Sequence, residues 1–579
     1  MTWRHYMLLV VLLGFTVVLA GRVLYLATTD KEFLQKEGDA RSIRNEAIGA
    51  QRGVIRDRWG EALAISTPVY NVVVDPSVKV PDSDAIKEIA TLLQLDAAEI
   101  SGKLQNKKRQ YVVLKPRITW DEAESLRERK FEGVKLETVY RRYYPAGEVA
   151  AHVVGFSGFG SRISRNQSPE SEELALEVGL EGIEMAFDDK LRALPGRKTV
   201  LRDRKGQNVR DLEYVRAPKH GEDLTLSIDL RLQYLAYREL KAAVAGHNAA
   251  SGSLVMLDVK TGDILALVNQ PSYNPNEGAP EKSAGMRNLA IADALEPGST
   301  AKPFAALAGV ESGRYTALSE FETSPGYIRV VDKTVRDPVN YRLLTLTGVL
   351  QKSSQVGIVK LTLDLEREAV YGVLKRAGVG EMVGSGLPNE NAGFISPAGL
   401  KSDVVKVTMA YGYGFTVSPL QLARAYLTLA RSGNKSPVSI LKSETPSPGE
   451  QVFEPVIARG IVNMLESVTG EGGTARGARI EGYRVAGKTG TARVVGPQGY
   501  DDKRHVALFA GMVPVDHPEI VMVVIIHEPS RGQSGGGAVA APVFSRVAER
   551  SLRLLGIPGD SLPMTAEQSP PVEGLRTST

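Results

Sequence analysis

Glu296-Pro-Gly-Ser299-Thr-Ala-Lys302-Pro-Phe-Ala-Ala-Leu-Ala-Gly309 is the stretch on which the reading of this chain turns. Pro297-Gly298 breaks the preceding structure, and a helix is predicted to begin at or near Ser299. Pro303 is tolerated there because backbone donors in a first helical turn are unpaired anyway. A spacing of three puts Ser299 and Lys302 on one helical face. That arrangement suits nucleophilic catalysis, in which a serine hydroxyl is deprotonated by a neutral amine. Lysine normally holds its proton to a pKa of about 10.4. To work near neutrality it must fall by roughly three units, on the order of 4 kcal/mol. Burial, a helix N-terminus and a neighbouring cation can supply this together.

Ser-x-x-Lys alone is weak evidence, since about two copies are expected by chance in a chain of this size. Two others occur, Ser432-Gly-Asn-Lys435 and Ser439-Ile-Leu-Lys442. The first reads as a loop and the second as a strand, which would turn its two polar residues to opposite faces. A second element is Lys488-Thr489-Gly490-Thr491, within a β-branched, alternating run. Gly487 and Gly490 strip side chains from that strand and let another extended backbone lie alongside. The ammonium and the threonine hydroxyls suit a carboxylate. Lys260-Thr-Gly262 has the same letters but is explained as a hairpin turn. The third element is Lys352-Ser353-Ser354-Gln355, where a hydroxyl and a side-chain amide could relay a proton and bind an amide. By itself it reads as a serine-rich turn.

The order and spacing of the three raise them together: Ser-x-x-Lys, then Ser-x-Gln about fifty residues on, then Lys-Thr-Gly about 130 further. This set resembles that of the penicillin-binding proteins and serine β-lactamases. Arg52-Gly-Val-Ile-Arg-Asp-Arg58, Arg142-Tyr-Tyr-Pro145, Gly179-Leu-Glu-Gly-Ile-Glu184 and Gly414-Phe-Thr-Val-Ser-Pro-Leu-Gln421 extend the likeness to class B penicillin-binding proteins of the Gram-negative division type. The resemblance implies an α+β fold: an N-terminal membrane helix, an elongated α+β pedestal domain, and a penicillin-recognising transpeptidase domain with an antiparallel sheet packed between helices. It implies peptidoglycan D,D-transpeptidation through an acyl-enzyme at Ser299, with Lys302 as base and Ser353 passing the proton to the leaving amine. Lys488, Thr489, Gly490 and Thr491 would hold the substrate carboxylate, and the backbone N–H groups of Ser299 and Thr491 would form the oxyanion hole. Gln355 departs from the family's usual Asn. The extra methylene moves the amide by roughly 1 Å, enough to alter activity. β-Lactams are the implied inhibitors; no cofactor and no metal is implied. A division-type glycosyltransferase and other division proteins are the implied partners.

The rest of the chain fits that layout. Met7–Gly21 is almost wholly apolar and resumes after Arg22, long enough for a membrane helix. A cleaved signal peptide ending at Val18-Leu19-Ala20 is the competing reading. The apolar pattern continues past that site, which favours an uncleaved anchor with the N-terminus cytoplasmic and the catalytic domain periplasmic. Net charge is only +4, which argues against nucleic acid as a partner. The chain has no Cys, excluding disulfides and thiolate chemistry, and its seven His include no H-E-x-x-H. The expected division is 1–29 anchor, 30–220 pedestal, 221–556 transpeptidase domain and 557–579 disordered tail. Asp30–Arg44 reads as a helix or stalk, Ser161–Glu173 as a mobile loop, and Gly496–Lys503 as a flap over the site or a plain surface loop. Helical spacing marks Asp82–Leu104, Thr119–Arg129, Asp229–Ala245 and Ala541–Leu555. Strands are expected at Val69–Val74, Ser253–Val259, Ile264–Val268, Arg504–Val513 and Glu519–His527. A β-lactamase would need a second acidic base for deacylation, for which no motif appears. The alternatives, a specialised paralogue of altered activity or a non-catalytic division scaffold, find support only in Gln355.

Overall fold

The computed structural model of the chain describes residues 3–32, 36, 42–107, 109, 111–159, 177–203, 208–277, 284–446, 448–496 and 499–560. The Ser161–Glu173 loop and the tail beyond Asp560 lie outside the described residues. Helix α1, Trp3–Thr28, buries none of its residues, and an 18-residue window within it has a mean hydropathy of 2.5. At about 1.5 Å per residue it spans about 39 Å, more than the roughly 30 Å of a bilayer core. Of the segment read as a stalk, Ile43 and Arg44 instead open a strand, Ile43–Ile48.

The chain falls into two compact units that interleave along the sequence. The first comprises Met1–Gly53, Ser66–Tyr143 and Arg192–Glu222; the second comprises Val54–Ile65, Tyr144–Leu191 and Asp223–Thr579. In the first unit, Ile43–Ile48, Gly196–Arg202 and Asn208–Arg216 form a three-stranded sheet. Elsewhere in it, Val72, Val74, Ile89, Leu93, Ile100, Leu114 and Leu126 share a small core. The predicted helical segment Asp82–Leu104 is two helices, Ser83–Leu93 and Ala97–Leu104. Gln94 turns left-handed (φ 55°) and Asp96 restarts the helix by accepting from Ala98 N, so continuous helical spacing conceals a break. Trp120–Arg129 begins with a full capping box between Thr119 and Glu122. The strand expected from Val69 starts earlier, at Ala62, and runs through Pro68, whose exposed position needs no N–H for pairing.

The second unit is organised by α2 (Leu230–Gly246), β1 (Ser251–Asp258), β2 (Ile264–Gln270), α3 (Lys302–Glu311), α4 (Leu346–Lys352), α5 (Gln355–Asp364), α6 (Pro419–Ala430), α7 (Pro455–Thr469), β3 (Ala486–Gly496), β4 (Gly499–Val513), β5 (Ile520–His527) and α8 (Gly536–Leu555). Its sheet is antiparallel with strand order β2-β1-β5-β4-β3. Helices α2 and α8 pack together on the sheet, and α6 and α7 also lie against its strands. Every residue from Ile520 to Ile526 is 0% exposed, so both faces are covered and the sequence shows an unbroken apolar run rather than alternation. All twelve residues of α6 are buried, again with no polar face. Strand β3 ends the sheet, and the turn bearing Ser299 packs against it. The closing helix starts five residues before the predicted Ala541, at Gly536, because its first turn is glycine-rich and carries little apolar signal.

Candidate active site

Ser299 sits in a 3₁₀ turn, Gly298–Ala301, that feeds directly into α3. Pro303 occupies the first turn of that helix, as expected. Thr300 Oγ1 donates to the Pro297 carbonyl at 2.7 Å, tightening the turn. Gly298 has φ +54° and donates its N–H to the Gly412 carbonyl at 3.0 Å. The approach is so close that a Cβ on Gly412 would stand 2.0 Å from the Gly298 oxygen. Gly490 faces the same turn: a Cβ there would meet Thr300 Cγ2 at 3.0 Å and the Pro297 oxygen at 3.1 Å. The glycine of the Lys-Thr-Gly strand therefore makes room for the serine's own turn, where the sequence suggested a passing strand.

Lys302 is fully buried, and its Nζ donates to the Ser353 carbonyl and, at 3.1 Å, to Ser353 Oγ. Lys488 is also fully buried, and its Nζ donates to the same Oγ at 2.9 Å and to the Thr489 carbonyl at 3.2 Å. The two lone pairs of the Ser353 hydroxyl are thus taken by two lysines, leaving its own proton free to be donated. Ser353 links α4 to α5 in a left-handed conformation (φ 57°), and Ser354 caps α5 by accepting from Gly357 N at 2.9 Å. The three widely separated motifs meet at one hydroxyl.

Two family descriptions cover this chain: residues 252–549 match the penicillin-binding protein transpeptidase domain, and residues 47–226 match the penicillin-binding protein dimerisation domain. The chain belongs to the penicillin-binding protein family. It is similar to the peptidoglycan D,D-transpeptidase FtsI of Escherichia coli K12, 39% identical over 97% of this chain and 93% of that protein. It is 36% identical to the probable peptidoglycan D,D-transpeptidase PbpC of Pseudomonas aeruginosa, covering 96% of this chain and 97% of the other. Among solved structures, the transpeptidase domain of Burkholderia pseudomallei penicillin-binding protein 3 matches with a TM-score of 0.54 and 38% identity, over 58% of this chain and 98% of that one. With two-domain class B architecture established, the polar groups around the penicillin-binding protein's serine can be read as one electrostatic unit.

Burial pushes the Lys302 amine down from 10.5 to about 7, with the Asp337 carboxylate opposing the fall. Lys488 is held well below its ordinary value, first by burial and then by the charge of Lys302. Two ammonium groups sharing one hydroxyl disfavour double protonation, so the pair titrates as a unit. Ser299 Oγ, by contrast, makes no hydrogen bond among the described residues, and Lys302 Nζ is engaged with Ser353 instead. Thr489 is nearly buried, and its hydroxyl pairs with Thr474 Oγ1 at 2.9 Å. Thr491 is exposed, and its Oγ1 accepts from Gly536 N at 3.3 Å. The Gln355 side chain is half-buried at the first position of α5 and makes no hydrogen bond among the described residues.

Asp337 escaped the sequence reading. Its carboxylate accepts from Ser354 Oγ at 2.5 Å, from Gln355 N at 2.5 Å and from Val356 N at 3.2 Å, fixing the start of α5 and with it Ser353. No local pattern marks it, since an isolated Asp before Pro reads as a turn residue. Gly412 and Thr474 were missed for the same reason. The segment Gly496–Lys503 is not a loop over its whole length: strands β3 and β4 run to Gly496 and from Gly499. Tyr500 donates its hydroxyl to Glu296 at 3.0 Å and stands edge-on to Tyr413, with centroids 5.7 Å apart. Both other Ser-x-x-Lys copies stay away from chemistry: Lys442 Nζ donates to the Arg58 carbonyl at 3.0 Å, and Lys435 pairs with Glu381 and Glu450. Lys260-Thr-Gly262 is a hairpin turn, with Asp258 accepting from both Lys260 N and Thr261 N.

Proposed function

We propose that this protein is a membrane-anchored serine D,D-transpeptidase that cross-links peptidoglycan stem peptides during septal wall synthesis. The observation that carries the reading is the Ser353 hydroxyl clasped by two buried, proton-poor lysines beside the Ser299 turn. Neutral Lys302 takes the proton of Ser299 as its Oγ attacks the penultimate D-Ala carbonyl. The N–H groups of Ser299 and Thr491 receive the developing oxyanion. Ser353 donates its free proton to the departing D-Ala amine. A neighbouring stem-peptide amine then attacks the ester and releases Ser299. The terminal carboxylate lies against Lys488, Thr489, Gly490 and Thr491, and its charge draws a proton back onto Lys488. The Gln355 amide, unpaired among the described residues, takes a substrate amide. The outer edge of β3 supports the extended peptide by strand addition. A β-lactam follows the first step and remains as an ester.

Helix α1 anchors the protein in the inner membrane, with the N-terminus cytoplasmic and the catalytic domain periplasmic. Its partners in that setting are a division-type glycosyltransferase and other division proteins. The test is intact-mass measurement of the full-length protein in detergent after exposure to a penicillin, beside Ser299→Ala. A persistent mass gain equal to the drug, absent in the variant, is expected. Turnover without adduct would make it a β-lactamase. No adduct in a folded protein would make it a scaffold disabled at Gln355.

A further inference from the structure

A second cavity of the transpeptidase unit, about 770 Å³, shares none of its lining with the motif residues. Its wall includes His152, Glu181, Tyr273, Met286, Arg287 and Asp293. The His152 ring is 93% buried by its 7% exposure and meets the edge of Tyr273 at 5.4 Å. His152 Nε2 lies 2.7 Å from the Gly285 carbonyl, which can only accept, so Nε2 carries the proton. Nδ1 is then a bare acceptor, with no partner among the described residues, on a ring that lines the cavity. Burial holds this imidazole neutral, with its pKa down to about 4.

Glu181 repeats the pattern. It occupies the N-cap position of the short helix Gly182–Ala186 yet makes no capping bond with its side chain. Its place is fixed by two glycines: a Cβ on Gly155 would stand 1.8 Å from the Glu181 oxygen, and one on Gly182 would stand 2.5 Å from Gly155 N. Its carboxylate has no hydrogen bond and no cation among the described residues, and partial burial alone raises its pKa. On the same wall Arg287 Nε forms an ion pair with Asp293 Oδ1 at 2.7 Å, and that buried oxygen accepts no hydrogen bond among the described residues. Tyr273 spends its proton on the Ala151 carbonyl at 3.1 Å. Asn288 is satisfied by His152 O and by Asn269. Among the described residues the wall therefore carries a carboxylate and a neutral acceptor without partners, Asp293 Oδ1 without a hydrogen bond, and the apolar surfaces of Tyr273 and Met286. Neither His152 Nδ1 nor the Glu181 carboxylate is sealed from the space, so a ligand in it can reach both.

We infer that this cavity is a binding site for a primary ammonium carried on a short aliphatic stem, with Glu181 as counter-charge, His152 Nδ1 as acceptor and Tyr273 and Met286 against the stem. The ammonium supplies three donors and no acceptor, matching what the wall lacks. Lysine-like peptide side chains and free diamines share this chemistry. The test is calorimetric titration of the full-length protein in detergent with Nα-acetyl-lysine methylamide, with 1,5-diaminopentane, and with the uncharged norleucine analogue. One site of millimolar affinity for the lysine derivative is expected, with none for norleucine. Binding of the diamine alone would uphold the ammonium site and assign it to free polyamines. Glu181→Gln, which removes charge but no hydrogen bond among the described residues, should weaken binding about tenfold or more. Prior acylation by penicillin should leave it unchanged. Equal binding of norleucine, undiminished binding to Glu181→Gln, or loss of binding on acylation would overturn the inference, as would absence of binding to both amines.

Discussion

Acylation by penicillin should depend on pH through one amine, because the base at Lys302 acts only when neutral. Burial brings that amine from 10.5 to about 7, a change worth about 5 kcal/mol. The second-order acylation constant, which reports the free enzyme, should therefore rise about tenfold between pH 6 and pH 8 and level off above. A lysine left at its solution value would be neutral in only about one molecule in three thousand at pH 7. Asp337 supplies the sign test. Its carboxylate favours the charged amine, so Asp337→Asn lowers the Lys302 pKa and moves the acid limb to lower pH. The shift should be on the order of one pH unit, or about 1.4 kcal/mol, the scale of a charge pair near but not touching in the protein interior. The Asn oxygen can still accept from the Gln355 and Val356 N–H groups, and Ser354 can turn its hydroxyl to accept from the amide. Stopped-flow acylation with a fluorescent penicillin from pH 5 to about 9.5 measures both proteins, with thermal melts as a folding control. A flat profile, a limb near the ordinary lysine value, or an upward shift in Asp337→Asn would refute the assignment.

Three other outcomes follow from named contacts. Gly412→Ala places a methyl 2.0 Å from the Gly298 oxygen at φ +87°, so melting should show a loss of about 3 kcal/mol or more and penicillin labelling should fall at least a hundredfold. Gln355→Asn alters a side chain with no partner among the described residues, so stability should stay within about 0.5 kcal/mol while the acylation rate rises about tenfold; an unchanged rate would remove Gln355 from the site. His152 has a folded pKa of about 4 against an ordinary 6.5, so the unfolded chain binds its proton first as pH falls. Its contribution of about 3 kcal/mol is complete above pH 6.5 and is lost on descending to about 4, and denaturant melts of His152→Gln should show a shallower acid loss.

The parts legible in the sequence are those whose signal is local. A proline-glycine break before Ser299, a capping pair at Thr119 and Glu122, and uninterrupted apolar strands at Leu508–Val513 and Ile520–Ile526 each announce themselves within a few residues. Order and spacing brought Lys302, Ser353 and Lys488 onto one list, and they meet in space. What stayed hidden depends on contacts across long sequence separations. Asp337 reaches α5 from 18 residues before Gln355, Gly412 meets Gly298 across more than a hundred, and Tyr500 finds Glu296 across 204. Periodicity also passed over Gln94, because one left-handed residue breaks a helix without breaking its apolar rhythm.

The alternation of segments between the two compact units sets a timetable for synthesis. Ile55 and Arg56 pair with Ala64 and Ala62 soon after they leave the ribosome, but their other neighbours, Leu224 and Thr225, are made 169 positions later. At about 5–20 residues per second that delay is roughly ten to thirty seconds. Through it Ile55, Leu63 and Ala64, all 0% exposed in the finished protein, lack the largest segment of their own unit, Asp223–Thr579. A ribosome stalled before Asp223 therefore presents a hairpin that lacks part of its cover, and the nascent chain is most open to proteases and chaperones within this window.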